Sequence, residues 1–148
     1  MTSDPKREVL RHALATIAFR GGIALTDAPT DFAEFRVSES TRSPAEILAH
    51  IGDLIVGSHY LLRGDFIRLE SRPLPWDEEI ARFFTGVREL DAFLASEKPL
   101  AHAVEKMIQG PIGDALTHVG QIVMLRRIAG APIQEAEYFT AEIVPGTF

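Results

Sequence analysis

Asp114 and His118 stand four residues apart in GPIGDALTHVGQIVMLRRIAGAP, residues 110–132, and they are the pair in this sequence best placed to do chemistry. On a helix that spacing puts a carboxylate and an imidazole on one face, about 6 Å apart at their β-carbons, close enough to share an ion. A stripe through 114, 118, 121/122, 125 and 128/129 continues from them into Ile122, Leu125, Ile128 and Ala129, so the pattern predicts that the pair lies on the buried face. His50, in SPAEILAHIGDL, borders the apolar stripe of a second predicted helix and could supply a third ligand. Two histidines and one carboxylate, with the remaining positions open, suit a divalent transition metal such as Zn, Ni or Fe(II). Such a centre would activate water or bind a thiol. The same spacing also fits a plain side-chain pair, or an aspartate favoured by a helix N-terminus, and a lone histidine beside an apolar stripe also fits a core residue with satisfied ring nitrogens. Spacing alone leaves these readings open. Gln121, one turn beyond His118, is placed to orient a ligand or a group behind the metal.

Helices must hold these residues, and their limits are marked. Asp4-Pro5 starts a first helix, with Leu10, Ala13 or Leu14, and Ile17 at helical spacing, predicted over 5–20 and stopped by Gly21 and Gly22. The connection 23–42 is long enough for a crossover between non-adjacent or parallel helices, which disfavours an up-down-up-down hairpin series; its Phe32 and Phe35 are expected to cover the core. Ser43-Pro44-Ala45-Glu46 has the residues of a capping box and opens a helix over 44–63, with Gly64 beyond its end. Pro73 and Pro75 force extended chain that delivers Trp76 to a third helix over 77–96, where it is expected to staple the helix to the core. Asp77, Glu78 and Glu79 are read there as solvated and stabilised by the dipole, and Ile80, Phe83, Phe84, Val87, Leu90 and Leu94 as core. LAHAVEKMI forms a short helical segment, after which Gly110-Pro111 restarts the chain into the last helix. Gly130 and Pro132 stop that helix, and Arg126 and Arg127 suit its negative end. An extended tail follows from about 131, with Tyr138, Phe139 and Ile143 too apolar for all to stay in water. His12 and His102 are assigned no role, and His59 is expected to pack or lie half exposed.

The 148 residues suit one domain with a full core, and 46% apolar with 24% charged residues is ordinary for a globular protein. A net charge of -6 with dispersed arginines argues against nucleic acid and for small-molecule or protein partners. The absence of cysteine means that any thiol must come from a substrate. No segment approaches the roughly 18 apolar residues of a membrane span, and the charged N-terminal stretch lacks a signal-like apolar run, so a cytoplasmic protein is expected.

His118-Val119-Gly120-Gln121-Ile122, followed by Leu125-Arg126-Arg127 and Gly130, resembles the last-helix motif of the DinB-like superfamily of bacterial proteins. The helix-two histidine of SPAEILAHIGDL and the start of WDEEIARFF are similar too, so the resemblance runs from the first helix to about Pro132. It implies an all-α four-helix bundle of up-down-down-up order, frequently a homodimer. It also implies a divalent metal held by three histidines, one in helix two and two spaced by four in the last helix. His50 and His118 match two of these, while Asp114 stands where the third histidine belongs. The activities implied are those of metal-dependent transferases and isomerases using low-molecular-weight thiols, and the expected function is a metal-dependent hydrolase or thiol-dependent transferase acting on a small molecule. The competing expectation is a non-catalytic dimeric bundle whose metal site has degenerated.

Overall fold

The computed structural model describes residues 4–148, which are helical with no strand among them. Helix α1, Pro5–Leu25, begins where the Asp4 carboxylate accepts the Lys6 N–H at 3.0 Å, leaving Pro5 in the first turn, where it loses no hydrogen bond. It continues past Gly21 and Gly22, against the predicted stop at residue 20. A Cβ on Gly21 would sit 2.8 Å from the Phe83 ring, so this glycine is a notch for an aromatic side chain rather than a terminator. The helix ends at Thr26, whose N–H and hydroxyl both donate to the Gly22 carbonyl.

Between α1 and α2 the chain makes one 3₁₀ turn, Phe32–Glu34, and buries Phe32 edge-on to Trp76 with ring centroids 5.9 Å apart. Helix α2, Pro44–Leu62, has the expected capping box. The Ser43 hydroxyl accepts from Glu46 N–H at 3.2 Å, and the Glu46 carboxylate accepts from Ser43 N–H at 2.8 Å. Gly64, at φ +92°, terminates it with a bond from Asp65 N–H back to the Tyr60 carbonyl. Helix α3 spans Trp76–Ala95, and a short helix α4, Val104–Met107, leads through a wide turn at Ile108–Ile112 into α5, Gly113–Ile128.

Cross-contacts fix how the four long helices run. Arg7 reaches the Ser96 carbonyl, Arg11 pairs with Asp91 and Gly21 meets Phe83, so α1 and α3 are antiparallel. Gly52 lies against Arg82, Ile55 against Gly86, and His59 against Phe93, so α2 and α3 run the same way. His50 faces the start of α5 while Ile47, earlier in α2, shares a groove with Leu125, which makes α2 and α5 antiparallel. The core between them is apolar: Leu14, Ile51, Ile55, Phe83, Val87, Leu90 and Ile122 are each at most 1% exposed. Each such side chain contributes about 1.5–3 kcal/mol relative to exposure.

Glu79, read as solvated, and Arg126, read as suiting the negative end of α5, are both structural. Glu79 is fully buried, not solvated at the α3 N-terminus, and accepts from Leu74 N–H at 2.9 Å and from Arg82 at 3.0 Å. Arg126 is 4% exposed and donates to the carbonyls of Ala24, Thr26 and Ala131, tying the end of α1 and the tail to α5. In the tail, Tyr138 packs on Phe19 and beneath the Arg20 guanidinium, whereas Phe139 is 94% exposed. Among the described residues no helix is long and apolar enough to cross a membrane.

Candidate metal centre

Helix α5 buries Ala115, Val119, Ile122, Leu125 and Arg126, a face rotated by one residue from the predicted stripe. Asp114 and His118 therefore lie at the edge of that face, not within it, and Ile128 is 52% exposed. The small residues Ala115 and Val119 seat the helix, and each residue turns it by about 100°. Position 114 is left facing both α2 and solvent. The Asp114 side chain is 46% exposed, against 31% for His50 and 12% for His118.

The approach to Asp114 is unusual backbone. Gly110 breaks the helical angles, at φ -103° and ψ -111°, Pro111 has no N–H to donate, and the chain takes a turn wider than an α-helix before α5 begins. The turn folds the Ile108 carbonyl so close to Gly113 that a Cβ there would lie 2.7 Å from its oxygen. At Gly120, by contrast, a Cβ would meet nothing within 4 Å. Opposite outcomes are expected for the same substitution. Gly120→Ala should stabilise by about 0.5–1 kcal/mol, the ordinary helical gain. Gly113→Ala should destabilise by about 1–3 kcal/mol through forced backbone displacement, and should weaken any ion bound by the adjacent Asp114. Urea midpoints of the two variants check this; a Gly113→Ala protein as stable as the parent would show that the close approach is unimportant.

His50 Nε2 lies 3.4 Å from Asp114 Oδ2, and the two histidine rings are 4.6 Å apart at their centroids. His118 Nδ1 lies 2.7 Å from the Asp114 backbone carbonyl and 3.2 Å from its Oδ1. A carbonyl only accepts, so this bond places the proton on Nδ1 and leaves Nε2 as the lone pair for a metal. Backbone support of that kind commonly orients a ligating histidine. One ligand atom from each of the three residues lies within 4.8 Å of the others. The His50–Asp114 separation is long for a charge-assisted hydrogen bond, about 2.8 Å, and close to the edge of about 3.3 Å in a tetrahedron with 2.0 Å bonds. The residues present thus fit a divalent ion. Gln121 makes no hydrogen bond to these three among the described residues; it lines a groove of about 660 Å³ that opens beside His118 between α5 and the start of α2.

A second polar cluster supports the site from behind and went unread in the sequence. Arg82 donates to Asp53 Oδ1 at 2.5 Å, to Glu79 at 3.0 Å and to the Ala49 carbonyl at 3.2 Å, while Ser71 donates its hydroxyl and N–H to Asp53 at 2.6 and 2.8 Å. Burial alone would raise the Asp53 carboxyl, but the donors Ser71 and Arg82 outweigh it and hold its pKa below the usual range. Ala49 precedes His50, so this network anchors α2 at the proposed ligand. The three-residue spacing of Glu79 and Arg82 was its one local signal. His59 lies elsewhere, half-buried on Phe93; burial and the charge of Arg63 push its pKa down, and it joins no ligand group among the described residues.

Comparison of the chain with protein-family models, with curated proteins and with solved structures gives no match.

Proposed function

We propose that His50, Asp114 and His118 hold a divalent transition metal, Zn, Ni or Fe, and that the protein is a metal-dependent enzyme of the DinB-like kind acting on a small molecule. The observation that carries this reading is the convergence of three ligating side chains, one on α2 and two on α5, to within 4.8 Å. The order of helix directions, up-down-down-up, supports it as well. An ion bound there supplies Lewis acidity, which lowers the pKa of a coordinated water or thiol and suits a hydrolase or thiol-dependent transferase. The chain's own groups do the rest. The Asp114 backbone carbonyl fixes the ring of His118, its carboxylate offsets part of the ion's charge, and the groove beside His118 gives substrate access.

Asp114 separates a working centre from a lost one. An equilibrium zinc titration of the parent and of Asp114→His is the test. Both proteins are expected to bind one ion per chain, the histidine variant more tightly, because imidazole is the softer ligand. A parent that binds none, beside a histidine variant that binds one, would identify a degenerate site and leave the non-catalytic bundle as the better account.

A further inference from the structure

The groove beside the three ligands has features that the metal alone does not require. It is lined along α5 from His118 to Met124 and Leu125, and because α2 and α5 are antiparallel, Arg42, just before α2, belongs to the Leu125 end. From His118 to Leu125 an α-helix rises about 10 Å. Its walls there are apolar, with Ile47, Met124 and Leu125 facing the space. Its floor at Gly120 is bare backbone, in the middle of a helix where glycine is costly and where nothing would obstruct a side chain. Its far end carries a cation. Arg36 is engaged by the Thr41 carbonyl and the Glu46 carboxylate, whereas Arg42 is exposed and has no hydrogen bond or ion pair among the described residues.

We propose that the groove binds an elongated organic acid: a metal-binding head at His50, Asp114 and His118, an aliphatic chain over Gly120, and a carboxylate at Arg42. This deepens the metal reading and rests on it. In a chain of net charge -6, an unpaired guanidinium at the end of an apolar channel favours an anion over a neutral or cationic group. The bare helix surface at Gly120 leaves open space for the chain, which a long side chain such as leucine would occupy. The rise of about 10 Å along α5 from His118 to Leu125 matches an extended chain of about eight or nine bonds from the metal-binding oxygen to the carboxylate oxygen.

The test uses cobalt(II)-loaded protein and follows the visible absorption of the cobalt as hydroxamates are added. Three probes are compared: acetohydroxamate, the monohydroxamate of suberic acid, and the same compound with its carboxylate replaced by a carboxamide. The parent is expected to bind the carboxylate about tenfold more tightly than the carboxamide. Arg42→Gln should abolish that preference while retaining cobalt and acetohydroxamate binding. Gly120→Leu should weaken both long probes about tenfold and leave acetohydroxamate unchanged, which also shows that the variant is folded. Equal binding of carboxylate and carboxamide by the parent, or a preference that survives Arg42→Gln, would overturn the proposal. A parent that takes up no cobalt before any probe is added would overturn the metal reading itself, and this proposal with it.

Discussion

Asp53→Ala is expected to lower the unfolding free energy by about 3 kcal/mol, one of the two largest effects among the changes considered. Asp53 is 7% exposed at its side chain and receives three donors, two from Ser71 and one from Arg82. Alanine leaves the Arg82 guanidinium against α2 with Glu79 as its only carboxylate, and frees the loop that Ser71 fastens. Losing one member of such a cluster costs more than the net value of the pair, because the remaining charge stays desolvated. Asp53→Asn separates charge from shape and carries a pH signature. The folded pKa of Asp53 is lowered, so its contribution is fully present above the unfolded aspartate value of about 3.9 and is lost as pH falls through the folded value. Urea unfolding at neutral pH and at pH values below about 4 should show this component of acid destabilisation in the parent and not in the asparagine variant. A loss under about 0.5 kcal/mol for Asp53→Ala at neutral pH would show that the cluster is incidental.

The other large effect is metal-linked. An ion that binds the native state alone stabilises it by about 4 kcal/mol at a thousand times its dissociation constant, or about 10 °C of Tm in a domain of this size. Zinc or nickel should therefore raise the Tm of the parent and leave that of His118→Ala unmoved. His118 is the best choice for removal because it is the least exposed ligand and its ring is already oriented by the Asp114 carbonyl. A parent whose Tm ignores every divalent metal would count against the site, whatever the variant does.

Local chemistry in the sequence marked the helices well, and non-local chemistry was poorly visible. The Asp4 cap, the Ser43–Glu46 box and Gly64 each act within a few residues, so their positions could be read directly. Gly21 carries the same letter as a terminator, yet its role depends on Phe83 from another helix, and the α1 boundary was misplaced for that reason. Arg82 and Arg126 take their structural roles from partners that mostly lie in other parts of the chain, so their sequence neighbourhoods did not show them. The grouping of the three candidate residues was legible, and their depth was not. His50, Asp114 and His118 converge as expected, but the wide turn before Gly113 and the packing of Ala115 and Val119 rotate the pair out of the core. That rotation leaves the His50–Asp114–His118 group with an open side, which a buried pair would lack. The resemblance to DinB-like proteins linked His50 to the pair; the geometry supplies the bond from His118 Nδ1 to the Asp114 carbonyl.

The most direct test of the metal centre is elemental analysis of untagged protein purified without chelator, with His118→Ala prepared in parallel. Near-stoichiometric zinc, nickel or iron in the parent, absent from the variant, is the predicted result. A parent that retains no metal after equilibration with a metal-replete buffer and a brief wash would contradict it.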